Sequence, residues 1–71
     1  MRYRSSVDRL IGSMGVVIIA IPQERTGVGT VKVNGQQWSA VTDNPESIPI
    51  GSKVWVSARD HVILIVVPEP G

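Results

Sequence analysis

Apolar and polar residues alternate along much of the chain with the period of two expected of half-buried β-strands, and no helical period is sustained over a useful length. The clearest stretch runs from Val28 to Asn34 and, beyond Asn34-Gly35, from Gln36 to Thr42. Asn-Gly between two alternating runs predicts a tight hairpin with a turn of the primed type. That turn fixes a register in which Val33 faces Gln36, Val31 faces Trp38 and Gly29 faces Ala40, with these side chains pointing one way. Thr30, Lys32, Gln37 and Ser39 then point the other way, so the hairpin has a dry side and a wet side.

Three further runs complete the pattern. Ser13 to Ile21 holds the apolar stretch Val16 to Ile21 and stops at Pro22, which has no N–H for a ladder. Gln23 to Gly27 follows as a loop. Lys53 to Ala58 places Val54 and Val56 on one face and Trp55 on the other, and Val62 to Val67 ends at Pro68. Between the third and fourth runs, Asp43 to Gly51 carries Pro45 and Pro49, which leaves no room for a regular helix and predicts an ordered crossover loop. Five short strands in so small a chain predict an all-β closed barrel, because closure removes the sheet edges such a domain cannot otherwise hide. Residues 1–9 are polar, show no apolar face, and are expected to form a linker or arm; residues 10–71 are expected to form the barrel domain.

The first and last runs are apolar at consecutive positions, so each must set large side chains on the face away from the small barrel interior. If the last hairpin turns about Asp60, Leu64 and Val66 share the inner face with Val54 and Val56. Trp55 then falls on the outer face beside Ile63 and Ile65. Two covers are open for that patch: the chain itself, through Leu10, Ile11 or the segment Ile48 to Ile50, or a partner, including a second copy of the chain.

Composition narrows the chemistry. With 71 residues the chain supports one domain, and with no Cys and a single His it has no disulfide, no thiolate chemistry and no conventional zinc site. No apolar run approaches the roughly 20 residues of a membrane helix. Asp8, Glu24, Asp43, Glu46, Asp60 and Glu69 fall in expected loops or tails, with no spacing that aims two carboxylates at one substrate. His61 beside Asp60 could be an acid-oriented histidine, but no nucleophile is placed to use it, and a solvated turn histidine is the simpler reading. No catalytic residue and no cofactor is expected. Single-stranded nucleic acid is the alternative ligand, since small barrels commonly bind it with stacking aromatics over a basic groove. Only Trp55, Lys32, Lys53 and Arg59 could form such a platform, and seven basic against six acidic residues leave a formal charge of +1, which weighs against phosphate-driven binding.

With the strands placed, the stretch from Leu10 to Pro68 resembles the C-terminal soluble domain of the NfeD-like membrane-protein family. The likeness lies in Leu10-Ile11-Gly12 and Gly15 before the first strand, Gly29 to Gly35 with Trp38 and Ala40 beyond the turn, Ile48-Pro49-Ile50-Gly51 before Val54 and Val56, and Leu64 to Pro68 at the end. The resemblance implies a five-stranded oligonucleotide/oligosaccharide-binding (OB-fold) barrel, attached in the family to transmembrane helices. It also implies a non-catalytic assembly role beside a stomatin- or flotillin-like membrane scaffold, and involvement in regulating membrane protease activity. Longer relatives carry a protease domain of the Clp type; the chain shows no such region and no membrane helix, so proteolysis is not carried over and anchoring is an inference. Under this reading Arg2, Arg4 and Arg9 are juxtamembrane, and basic flanks favour the cytoplasmic side for the domain.

Overall fold

A computed structural model of the chain describes residues 9–69. Five strands form in chain order: β1 (Met14–Ile19), β2 (Gly29–Val33), β3 (Gln36–Val41), β4 (Lys53–Asp60) and β5 (Ile63–Pro68). They close into a barrel in the order β1-β2-β3-β5-β4. All neighbours are antiparallel except β3 and β5, which run parallel and pair only at Ala40–Leu64 and Val41–Ile65. This is the strand order of the five-stranded OB-fold. The β2–β3 hairpin has the register read from its turn, with Val33 opposite Gln36, Val31 opposite Trp38 and Gly29 opposite Ala40. Asn34 and Gly35 take φ values of 52° and 82°, the left-handed pair that a primed turn demands.

Alternation along each strand delivers the core. Val17, Val31, Val33, Ala40, Val54, Val56, Leu64 and Val66 all point inward and are buried. Leu10 and Ile48 join them from outside the strands. Ile48 exchanges backbone hydrogen bonds with Ile21, each N–H donating to the other's carbonyl at 2.9 Å, so the crossover loop is pinned to the end of β1. Trp38 packs against this core half-buried, and its indole Nε1 is enclosed with no hydrogen-bond partner among the described residues. The barrel wall is tightest at Gly29, where a Cβ would lie 2.6 Å from the carbonyl oxygens of Ile19 and Ala20 and 2.6 Å from Ile21 Cγ1. Only a residue without a side chain lets β1 and β2 bend past each other here.

The loop after β1 is held rather than loose. Gln23–Arg25 forms a short 3-10 turn in which Glu24 and Arg25 take φ values of 52° and 55°. Such left-handed residues cost about 1 kcal/mol each, so the surroundings must hold them in place. The Glu24 N–H donates to the Asn44 carbonyl at 3.0 Å and the Arg25 N–H to that of Thr42 at 2.8 Å. Arg25 Nε and Nη2 donate to the two carboxylate oxygens of Asp43 at 2.6 and 3.0 Å. Buried Thr42 is satisfied in turn, its Oγ1 accepting from the Asn44 N–H at 3.2 Å. Asp43 raises the pKa of Arg25, first through this hydrogen bond and then through its charge.

Candidate functional site

The outer face of β1, β4 and β5 carries the apolar excess. In β4, Val54 and Val56 turn inward while Lys53, Trp55 and Ser57 face out; in β1, Gly15 and Val17 are buried while Met14 and Val16 face out. Register then lines these residues up. Met14 lies opposite Trp55, and Trp55 opposite Val67, so one apolar row crosses three strands. Met14, Val16, Trp55 and Val67 are 39, 41, 38 and 42% exposed, a contiguous patch where isolated exposed apolar residues would need no explanation.

Beside this row, Val16 is paired with Lys32 on β2 and with Lys53 on β4, so the two lysines flank one valine across neighbouring strands. Met14, Gly15, Val16, Lys32 and Lys53 line a shallow depression of about 300 Å³. Gly15 contributes only backbone to it, because its side-chain direction points into the barrel, where a Cβ would stand 2.7 Å from Val33 Cγ2 and 2.9 Å from the Lys32 carbonyl oxygen. Neither lysine forms an ion pair with another described residue.

Trp55 stands on the outer face, as the alternation of β4 requires, but its neighbours differ from those read in the sequence. The last hairpin turns at His61-Val62, with Asp60 opposite Ile63, and a bulge between Val56 and Ala58 shifts the ladder back by one residue. Trp55 therefore faces Val67, while Ile65 lies opposite Ala58 and Ile63 opposite Asp60. Ile63 and Ile65 share the outer face half-buried, toward the hairpin end. The bulge is fixed by Ser57, whose Oγ donates to the Ile65 carbonyl at 3.0 Å. Of the segments that could cover the patch, Leu10 and Ile48 enter the core instead, and Ile11 and Ile50 remain 45% and 68% exposed. Arg9 is exposed at the start of the described chain; Arg2 and Arg4 lie outside the described residues.

Two other surfaces were candidates on sequence grounds. His61 Nε2 is 3.9 Å from an Asp60 carboxylate oxygen, with the His61 side chain 94% exposed, and no nucleophile adjoins them among the described residues. Oligonucleotides on barrels of this topology lie across strands 2 and 3 and the adjoining loops. Here the outer face of β2 and β3 presents Thr30, Lys32, Gln37 and Ser39, with Trp38 turned toward the core. No ring is available there for stacking, and Arg25 in the adjoining loop is already neutralised by Asp43. Sequence reasoning missed three participants: Met14 and the Arg25–Asp43 clasp, which depend on contacts between segments distant along the chain, and Val67, which depends on an unmarked hairpin turn and bulge.

A family model described as the NfeD-like C-terminal, partner-binding domain matches residues 7–68. No curated protein matches the chain significantly. Among solved structures, the C-terminal domain of stomatin operon partner protein 1510-C from Pyrococcus horikoshii is 32% identical, with a TM-score of 0.80 over 96% of this chain and 100% of that one. The soluble domain of a membrane protein implicated in regulation of membrane protease activity from Corynebacterium glutamicum is 26% identical, with a TM-score of 0.80 over 92% of this chain and 100% of that one. The soluble domain of the NfeD protein YuaF from Bacillus subtilis is 32% identical, with a TM-score of 0.76 over 90% of this chain and 79% of that one. With the five-stranded barrel, the family model spanning all five strands and these structural likenesses in agreement, the chain belongs to the NfeD-like family, as its C-terminal, partner-binding domain.

Proposed function

We propose that this domain is a non-catalytic docking module of a membrane-anchored protein, and that it holds a stomatin- or flotillin-type membrane protein against the outer face of β1, β4 and β5. The observation that carries the reading is the exposed row Met14–Trp55–Val67, continued toward the hairpin by the half-buried Ile63 and Ile65. Protein interfaces place an aromatic anchor in such an apolar centre and ring it with polar side chains. Trp55 is that anchor, with Lys53, Lys32 and Ser57 at its rim. The likeness to a stomatin operon partner and to a protein implicated in regulating membrane protease activity supports both the partner class and a regulatory role. The domain works on the cytoplasmic side, a placement supported by Arg2, Arg4 and Arg9 as a basic flank.

The test is co-purification of a stomatin-type protein from membranes with the tagged full-length protein, comparing wild type with Trp55→Asp and with Met14→Asp. Circular dichroism and urea melting establish that each variant is folded. Loss of the partner from both folded variants supports the docking face; unchanged recovery shows that the partner binds elsewhere. Sedimentation of the purified domain reads self-association on the same face.

A further inference from the structure

We propose that the depression around Val16 takes a single apolar side chain from a partner segment that also carries acidic residues within two positions of that side chain on both sides. The inference rests on the docking reading above and adds the chemistry of what docks. Val16 stands in register between Lys32 on β2 and Lys53 on β4, so the two lysine Cα atoms stand roughly 10 Å apart, two strand spacings. Both lysines line the depression, and a lysine beside apolar surface lays its aliphatic stem against it while keeping its ammonium group in water. No described residue neutralises either charge. Glu69, whose N–H donates to the Lys53 carbonyl at 3.0 Å, is the acidic residue nearest in register, and it forms no ion pair with Lys53.

An apolar anchor seated on Val16 therefore meets a positive rim on both sides, and the complementary segment is apolar at its centre and acidic at its flanks. In an extended peptide the residues two before and two after the anchor share its face and span about 13 Å, within reach of both lysines. Neutral and basic segments lose that pairing or are repelled. A lipid surface fits less well. Two lysines on this face fall short of the cluster of roughly four to eight basic residues that holds a protein to anionic lipid.

The probe is the blocked heptapeptide Gly-Glu-Thr-Leu-Thr-Glu-Gly, titrated into the full chain at low ionic strength and followed by NMR at the Val16 methyl groups and the Lys32 and Lys53 amides. Versions with Gln or Lys in place of both Glu are titrated in parallel. The expected result is shifts centred on Val16, with the Glu peptide binding about fivefold more tightly than the Gln peptide and the Lys peptide weakest. In the double variant Lys32→Glu with Lys53→Glu, the order of the Glu and Lys peptides inverts. Equal binding of the Glu and Gln peptides, or shifts centred away from Val16, overturns the inference. So does co-sedimentation with phosphatidylglycerol vesicles that depends on Lys32 and Lys53 while the peptides show no charge preference. If Trp55→Asp abolishes partner recovery while the peptides are indifferent to charge, this inference fails and the docking face stands. If Trp55→Asp leaves recovery unchanged, both fail.

Discussion

Replacing Gly29 with alanine should be among the most damaging single changes in the barrel, although it adds only one methyl group. The new Cβ would sit 2.6 Å from each of two backbone carbonyl oxygens, of Ile19 and Ala20, and 2.6 Å from Ile21 Cγ1. A crowded side chain can turn aside, but these carbonyls belong to the wall itself, so β1 and β2 must separate. Overpacking of this kind costs about 3 kcal/mol when the backbone has to move. A domain of this size has a total stability of only about 4–10 kcal/mol, so the loss is a large share of it. Gly35→Ala is the matched control: its φ is +82° and nothing lies within 4 Å of an added Cβ. Its cost is conformational alone, about 1 kcal/mol. Urea unfolding followed by tryptophan fluorescence separates the two. With a slope of about 1 kcal/mol per molar urea, Gly29→Ala lowers the midpoint by about 3 M, or leaves the chain unfolded, and Gly35→Ala lowers it by about 1 M. A midpoint for Gly29→Ala within about 0.5 M of wild type, or a larger loss at Gly35, would refute the close approach of the two strands.

Ile48→Ala empties a fully buried position on the crossover loop and should cost about 2–4 kcal/mol, read as a lower urea midpoint. Trp38→Phe removes an enclosed indole N–H that has no partner among the described residues, which offsets the lost volume; its melting point should fall by far less than that of Ile48→Ala. His61→Gly relieves a left-handed residue at φ 57° and should raise stability by about 0.5 kcal/mol, seen as a higher melting temperature. Arg25 has a raised pKa in the folded chain, so its contribution is fully present below the ordinary guanidinium value and is lost only as pH rises through the higher folded one. Urea midpoints measured between pH 6 and 9 should accordingly show no dependence on this group, and a drop traced to Arg25 by Arg25→Gln would contradict the clasp. Fluorescence titration with a single-stranded oligonucleotide at modest salt should show no binding tighter than about 10 μM.

The parts of this fold that were legible in the sequence are those that local chemistry dictates. Asn34-Gly35 permits one turn, and that turn sets every pair of the β2–β3 hairpin. Val54 and Val56 could be assigned inward from alternation, Leu64 and Val66 followed only through an assumed turn at Asp60, and Pro45 and Pro49 excluded a helix from the crossover. The composition of the docking face was half legible: Trp55 had to face outward, yet its partners depended on where the last hairpin turned. Arg59-Asp60-His61-Val62 contains no glycine or proline to mark the turn, and nothing about Ser57-Ala58 announces a bulge. Those two local choices put Val67 rather than Ile65 beside the tryptophan. Met14 joined the row only because barrel closure brings β1 against β4, a contact between residues far apart in the chain. The left-handed Glu24–Arg25 turn was hidden for the same reason. Its stabilising partners, Thr42, Asp43 and Asn44, come from another loop.

The parallel contact between β3 and β5 has a consequence for how the domain is assembled and how it comes apart. It is stitched at only two residue pairs and joins segments separated by the whole crossover and β4, whereas both hairpins close over a two-residue turn. Chain closure of that length is slow to form and gains little once formed. The two hairpins therefore come together early and the cylinder shuts along this seam last, so thermal opening begins there and spreads. The docking row shares β5 with the seam but crosses it at Val67, beyond the pairs at Leu64 and Ile65, so its β1–β4 part can keep its shape while the seam breathes.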